Sequence, residues 1–218
     1  MKYTFIYAIL FFFQNLIINA QYNNKNNIGR VSYERVLNFE NITESTVFIM
    51  YFDSNFSVFY EERTDSDENV TLKQSNNDEF DLSFDVKFNG SKYIVLTDFR
   101  KDTIQSQVSL FKEGKQKTFV LEEKTLKIKW NLIEEFKTIS GFKAQKAIGL
   151  FRGRKYIAWF TNDIPIKYGP WKLNGLPGLI LSVSDDKNEV NFYVKSISFP
   201  FNSTSTKSEY EENKTRSN

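Results

Sequence analysis

The sequence predicts a mainly β protein built on a single curved antiparallel sheet, open like a half-barrel, with at most one or two short helical turns. The first observation is that apolar and polar residues follow the two-residue period of strands over most of the chain, rather than the helical period. The second is that polar turn residues separate the apolar runs at short intervals. This spacing favours antiparallel strands that curl over a shared core.

Two hairpins are predicted in the first half of the chain. Residues 46–52 are β-branched and aromatic, and a turn at residues 53–55 returns the chain into a second strand at residues 56–60. Residues 84–88 alternate cleanly and are followed by Asn89 and Gly90, which tolerate positive φ. These two residues predict a tight turn into a partner strand at residues 91–96.

The second half of the chain continues the strand pattern. Further strands are predicted at residues 107–111, 117–121, 126–130, 142–151, 155–161, 179–183 and 189–197, with turns at residues 112–115, 122–124, 152–154 and 185–188. Residues 131–137 have a short helical pattern that could equally extend a strand. The polar runs at residues 21–27, 62–79 and 202–218 lack periodicity and are interpreted as a linker, a mobile loop and a disordered tail.

The N-terminus has the pattern of a secretory signal peptide. Lys2 precedes an apolar run over residues 3–18, and Ala20 supplies the small residue for cleavage before Gln21. A retained membrane anchor is the alternative, but the run is shorter than the roughly 20 residues that span a bilayer. The predicted organisation is a signal peptide (1–20), a linker (21–27), a β-rich domain (28–201) and a polar tail (202–218), in an exported protein.

The composition excludes several classes of chemistry. The chain contains no His and no Cys, which excludes Ser-His-Asp and Cys-His catalysis, disulfides, and metal sites built on imidazole or thiolate. Its net charge of +2 implies no bulk attraction to nucleic acid. The acidic pair Asp185 and Asp186 and the acidic run at residues 65–68 lack calcium-loop spacing and are interpreted as a solvated turn and loop. No metal, cofactor or catalytic residue is predicted.

The run from Gly169 to Leu181 contains the most unusual local pattern, with two Gly/Pro corners around one Trp. Pro177 and Gly178 predict a type II turn in which Gly178 adopts positive φ. Trp171 is expected in one helical turn that Pro170 begins. The predicted structural motif comprises Gly169, Pro170, Gly175, Leu176, Pro177, Gly178, Leu179 and Ile180.

Two interpretations of Trp171 remain open: a buried plug close to Trp159 or Phe160, or a contact presented to a partner. Basic residues cluster nearby and could bind a carboxylate, a phosphate or a lipid headgroup, or could simply be charges on a hairpin tip. Lys172 is expected to be exposed, so that its loss should matter less than a change at Gly178. The candidate binding residues are Trp171, Lys172, Arg152, Arg154 and Trp159.

The same segment resembles the GLPGLI family of secreted proteins from Gram-negative bacteria. The resemblance is carried by Phe151-Arg-Gly-Arg154, Ala158-Trp-Phe-Thr161, Ile164-Pro-Ile166, Gly169-Pro-Trp-Lys172 and Gly175-Leu-Pro-Gly-Leu-Ile180, and more loosely by Ser57-Val-Phe-Tyr60. It implies an envelope location, in the periplasm or at the cell surface, and a fold similar to open, half-barrel carriers. The family has no assigned activity, so the resemblance implies no catalytic residue.

The predicted function is that of a non-enzymatic binding or carrier-like envelope protein. A curved sheet could hold a hydrophobic small molecule, a lipid or an envelope protein partner against the aromatic residues of its strands, with no nucleic acid and at most peripheral membrane contact. The residues expected to line it are Phe48, Met50, Phe52, Phe59, Tyr60, Tyr156, Ala158 and Phe160. The alternatives are an accessory or inhibitor protein and a hydrolase that uses carboxylates.

Overall fold

The computed structural model describes residues 28–40, 42–62, 70–73, 83–86, 93–112 and 115–201. The predicted signal peptide, cleavage site, linker and polar tail lie outside these residues, and so do Asn89 and Gly90. Among the described residues, no helix is long and apolar enough to cross a membrane.

Within the described residues, thirteen strands account for all the regular secondary structure. They are β1 (Gly29–Phe39), β2 (Ile42–Phe52), β3 (Phe56–Glu61), β4 (Val70–Lys73), β5 (Ser83–Val86), β6 (Ile94–Asp98), β7 (Thr103–Lys112), β8 (Lys115–Lys124), β9 (Trp130–Ile139), β10 (Phe142–Phe151), β11 (Arg154–Thr161), β12 (Leu179–Asp185) and β13 (Val190–Ser198). Eleven of them form one antiparallel sheet in the order β8-β7-β6-β3-β2-β1-β13-β12-β11-β10-β9, while β4 and β5 pair separately. The predicted fold class is confirmed.

The sheet curls strongly because its two edge strands are neighbours in the chain. β8 ends at Lys124 and β9 begins at Trp130, yet these strands stand at opposite ends of the strand order. A connection this short spans about 20 Å at most when fully extended. The sheet must therefore bend back until its edges approach each other, although β8 and β9 form no ladder and the sheet stays open.

Most predicted hairpins are confirmed, three predictions on strands and pairing are wrong, and residues 131–137 adopt the strand alternative of the two left open. The hairpins β2–β3, β7–β8, β10–β11 and β12–β13 lie where turn residues predict them. Residues 131–137 are strand rather than helix, whereas residues 125–129 form no strand. Part of the predicted loop at residues 62–79 is a strand, β4, which pairs with β5. The predicted hairpin of residues 84–88 with residues 91–96 is therefore wrong, because β5 does not pair with β6. Pairing of β4 with β5 leaves β6 between β3 and β7.

The strand β1 lies at the centre of the sheet and was not predicted. It pairs with β2 on one side and with β13, about 160 residues later in the chain, on the other. Its inward row of residues is Val31, Tyr33, Arg35 and Leu37, so a charged residue interrupts the apolar pattern that would have indicated a strand. Phe39 pairs with Ile42, so β1 and β2 are a local hairpin, and only the ladder with β13 is long-range.

The core fills the concave side of the curled sheet. Tyr33 and Phe48 have no exposed surface, and Phe48 stacks on Phe59 with ring centroids 4.8 Å apart. Tyr156, Ala158 and Phe160 of β11 contribute to the same cluster from across the curl. Aromatic rings thus pack against one another in this core, and Phe59 also meets Phe192 of β13 edge-on with centroids 6.2 Å apart.

The Tyr33 hydroxyl connects the central strand to the start of β12, and its removal provides a test of the core. It donates a buried hydrogen bond of 2.7 Å to the carbonyl oxygen of Ile180. We expect Tyr33→Phe to lower the free energy of unfolding by about 1 kcal/mol or slightly more, because a buried acceptor loses its donor. Urea denaturation measures the change. Tyr193→Phe, at an exposed position, is the control and should change stability by no more than about 0.5 kcal/mol; equal losses in the two variants would contradict the buried bond.

Candidate functional site

The loop between β11 and β12, residues 162–178, is part of the core rather than a surface excursion. We call it the connecting loop. The following side chains are buried in the main apolar cluster: Ile164, Ile166, Tyr168, Leu173 and Leu176. The loop therefore fills the concave side of the sheet and covers residues that the strands alone would leave open.

The tip of the connecting loop is a tight reverse turn, and the predicted helical turn is wrong. Tyr168 and Asn174 form an antiparallel bridge, and the Leu173 N–H donates to the Pro170 carbonyl oxygen at 3.2 Å. Trp171 follows Pro170 with φ of 59°. A bulky residue in this region is strained by about 1–3 kcal/mol, so the surrounding contacts must hold it there.

Gly175 and Gly178 are required for different reasons, and the role predicted for Gly178 is wrong. Gly175, not Gly178, has positive φ, at 92°. The predicted type II turn at Pro177 and Gly178 is therefore wrong. Gly178 is required instead by close approach, because a Cβ there would lie 1.8 Å from the carbonyl oxygen of Thr161.

The connecting loop joins the two edges of the open sheet. Lys172 Nζ donates to Ser106 Oγ of β7 at 3.1 Å and forms an ion pair with Glu123 of β8. On the other edge, Trp130 Nε1 of β9 donates to the Asn174 carbonyl oxygen at 2.8 Å. The prediction that Lys172 is exposed is wrong, since only 9% of its side chain is accessible.

A cavity of about 290 Å³ opens on the concave side, between the strands and the tip of the connecting loop. Its volume is close to the lower end of the range for small-molecule sites. It is lined by Arg35, Leu37, Phe48, Phe59, Tyr93, Phe151, Arg152, Arg154, Tyr156, Trp171, Val190 and Phe192. The lining is aromatic and aliphatic, with three arginines and no carboxylate.

Trp171 forms one wall of this cavity. Its indole N–H donates to the Tyr93 hydroxyl, and its ring meets Phe151 edge-on with centroids 5.5 Å apart. The side chain is half-buried, and these ring contacts differ from the predicted ones with Trp159 or Phe160. The strained backbone of Trp171 thus places a rigid aromatic surface against the cavity.

The three arginines of the lining differ in how their charge is compensated. Arg154 pairs with Asp185 and also with Glu189, the latter at 2.6 Å. Arg152 pairs with Glu123, a carboxylate that also pairs with Lys172. Arg35 of β1 pairs at 3.4 Å with Glu44, whose side chain is 61% exposed. Its guanidinium lies 4.8 Å from the centroid of the Phe48 ring, and its buried Nε has no hydrogen-bond partner among the described residues.

The structure brings together most of the predicted binding residues. Trp171, Arg152 and Arg154 line the cavity, and Lys172 lies beside it in its ion pair with Glu123. Trp159 is on the opposite face of β11, where Lys137 Nζ lies 4.0 Å and Lys146 Nζ lies 5.7 Å from the centroid of its ring. It is the one predicted binding residue that does not reach the cavity region.

Sequence reasoning missed Arg35 and Tyr93. Arg35 is the polar member of the inward row of β1. Its inward position can be inferred from the sequence only once β1 itself is recognised as a strand. Tyr93 precedes β6, and burial raises the pKa of its hydroxyl above the usual range. Burial likewise raises the pKa of Tyr156 in the same lining. Both phenols therefore remain protonated at neutral pH and can donate hydrogen bonds.

The acidic turn at the end of β12 contains one buried and one exposed carboxylate. Asp185 Oδ1 accepts hydrogen bonds from the N–H groups of Glu189 at 2.7 Å and Val190 at 3.1 Å, while Oδ2 pairs with Arg154. Asp186 is exposed, as predicted, but the interpretation of Asp185 as solvated is wrong. Among the described residues, no group of three or more acidic side chains could hold a metal ion.

Part of the chain matches a family of unknown function. The family is described as "Protein of unknown function (Porph_ging)", and the match covers residues 150–182, which include β11 and the connecting loop. No curated protein matches the chain.

Solved structures add information on the fold alone. The structure of PNGF-II has a TM-score of 0.53 and 16% identity over 79% of this chain, which spans only 28% of that protein. A domain from Vibrio parahaemolyticus described as an outer membrane lipoprotein-sorting protein has 9% identity and a TM-score of 0.34, covering 79% of this chain and 85% of its own. The first likeness supports the curled antiparallel architecture, and the second is too weak to carry a conclusion.

Proposed function

We propose that this chain is a non-enzymatic binding protein that is exported to the bacterial envelope and holds a hydrophobic small molecule or a lipid on the concave side of its sheet. The observation that carries the proposal is the cavity lined by aromatic and aliphatic side chains beside the tip of the connecting loop. Concave apolar cavities with a few polar groups are the usual form of small-molecule sites.

The rigidity of the cavity walls supports a binding role. Six strands of the sheet contribute lining residues, and the connecting loop that provides Trp171 is anchored to both sheet edges. A site that is formed before the ligand arrives loses little conformational entropy on binding. The envelope location is supported by the signal-like N-terminus and by the resemblance of residues 151–180 to the GLPGLI family.

Filling the cavity tests this proposal. Leu37 lines the cavity, whereas the adjacent Val36 is on the other face of β1. We expect the neutral fluorescent probe N-phenylnaphthylamine to bind the unmodified chain, and Leu37→Trp to weaken that binding about tenfold or more, because the indole occupies the space that the probe needs. Fluorescence titration measures the affinity, and Val36→Trp is the matched control.

The two variants also show how the proposal could fail. A thermal melt establishes that each variant is folded before its affinity is interpreted. Absence of probe binding to the unmodified chain would contradict the proposed function, and so would equal binding by folded Leu37→Trp and Val36→Trp.

A further inference from the structure

Arg35 has a donor that no acceptor among the described residues satisfies. Its Nε is buried and has no hydrogen-bond partner. Its Nη2 lies 3.4 Å from Glu44 Oε1 and 3.3 Å from Thr46 Oγ1, both long contacts, and the side chain of Glu44 is 61% exposed. A buried donor without an acceptor costs about 1–3 kcal/mol, so the fold holds this guanidinium in place at a cost in stability.

The placement of this guanidinium is also unusual for the fold. Arg35 is in the inward row of β1 between Tyr33 and Leu37, directly beside Thr46 on β2 and Phe192 on β13. Its guanidinium carbon lies 4.8 Å from the centroid of the Phe48 ring, a cation–π contact that leaves its charge unneutralised. An apolar residue would fit this row better if packing were the only requirement.

Two further donors converge on the same part of the cavity. The Tyr93 hydroxyl accepts its hydrogen bond from Trp171 and so keeps its own proton available for a ligand. Arg35 and Arg152 line the same cavity as Tyr93. Arg152 is only partly compensated, because Glu123 is shared with Lys172.

Arg154 has a different role. Two carboxylates, Asp185 and Glu189, pair with it and leave it little capacity for an additional anion. The anion-binding capacity of the lining is therefore concentrated at Arg35, with Tyr93 and Arg152 beside it. The rest of the lining is apolar and suits a hydrocarbon chain.

We propose that the cavity binds an anionic amphiphile, with its hydrocarbon tail against the aromatic lining and its carboxylate or phosphate group on Arg35, assisted by Tyr93 and Arg152. This inference rests on the proposed function and specifies its ligand class. Arg35 lines the cavity with 23% of its side chain accessible, and its charged Nη–H groups can donate to the oxygens of either anion.

A series of probes that differ only in their polar group tests the proposal on the unmodified chain. Isothermal titration calorimetry compares decanoate, decyl phosphate, decanol and decylamine. We expect at least one of the two anionic probes to bind about tenfold or more tightly than decanol, and decylamine to bind more weakly than decanol. Inorganic phosphate and acetate test the polar group alone, and we expect both to bind far more weakly than the amphiphiles.

A matched pair of variants locates the anionic group. We expect Arg35→Gln to weaken binding of the preferred anionic probe about tenfold or more and to leave decanol binding within about twofold, since the glutamine keeps volume but lacks charge. Arg30→Gln is the control, because Arg30 is on the same strand but on the outer face, where it pairs with Glu62 at 3.7 Å. Thermal melts show whether the variants are folded, and Arg35→Lys, which keeps the charge, should restore part of the affinity.

The outcomes separate this inference from the proposed function. Equal affinities for the anionic probes and decanol, or an Arg35→Gln effect no larger than that of Arg30→Gln, would overturn the anionic ligand while leaving a hydrophobic site intact. Binding of inorganic phosphate as tight as that of decyl phosphate would show that the ligand is a free anion and would also overturn the amphiphile. Failure of every amphiphile, together with failure of N-phenylnaphthylamine, would overturn both proposals.

Discussion

Gly178→Ala is expected to lower the free energy of unfolding by about 3 kcal/mol or more, the largest loss we expect from a single methyl group in this chain. The added Cβ would lie 1.8 Å from the Thr161 carbonyl oxygen and 2.6 Å from its carbonyl carbon, far inside contact distance. Both atoms belong to the backbone of β11, which is held by its ladders to β10 and β12 and cannot rotate away as a side chain could. Overpacking against an unyielding neighbour has costs of this size or larger.

Gly141→Ala is the matched control for this effect. Gly141 has φ of 85° and nothing within 4 Å of the position of its Cβ, so its substitution reports backbone strain without a clash. We expect it to cost about 1 kcal/mol. Urea denaturation of both variants decides between the two causes, and comparable losses would mean that Gly178 is retained for its backbone conformation rather than for close approach.

Asp185→Ala is expected to cost about 3 kcal/mol of stability. The carboxylate closes the turn into β13 by accepting two backbone N–H groups and also pairs with Arg154, and its side chain is fully buried. Its removal leaves both N–H groups without an acceptor inside the protein, each at a cost of about 1–3 kcal/mol before any partial solvation. The arginine keeps Glu189 as a partner, which limits the loss.

The neighbouring carboxylate provides the control for this prediction. Asp186 is exposed, and we expect Asp186→Ala to change stability by no more than about 0.5 kcal/mol. Asp185→Asn adds a second comparison, because it keeps one acceptor for the turn and loses the charge. Thermal and urea denaturation of the three variants measure the effects; similar stability of Asp185→Ala and Asp186→Ala would rule out the buried role of Asp185.

The contrast between Asp185 and Asp186 illustrates the limit of local patterns. Two adjacent acidic residues in a polar turn have the same local sequence context, and the sequence indicates solvent exposure for both. One becomes buried only because Arg154 of another strand meets it there. The same limitation explains the wrong prediction for Lys172. Its local sequence indicates an exposed charge, and only the fold places Ser106 and Glu123 beside it.

Local chemistry was enough to predict most of the hairpins and the fold class. Asp53 accepts the N–H groups of Asn55 and Phe56, both at 2.7 Å, so the turn between β2 and β3 is stabilised by residues within the turn itself. Arg152 and Gly153 both adopt positive φ in the two-residue turn between β10 and β11. Contacts between residues a few positions apart leave a pattern in the sequence, which is why these elements and the two-residue period could be recognised.

The sequence by itself thus determined that this chain forms an antiparallel sheet with hairpins at defined turns, and that a Gly/Pro-rich segment is confined between two strands. Only the tertiary structure decided that β1 lies between β2 and β13, that the connecting loop spans the edges of the sheet, and that Arg35 faces the cavity. The physical reason is the distance along the chain. Ladders, ion pairs and cavity walls formed by residues far apart in sequence depend on the closure of the whole sheet, and no short segment encodes that closure.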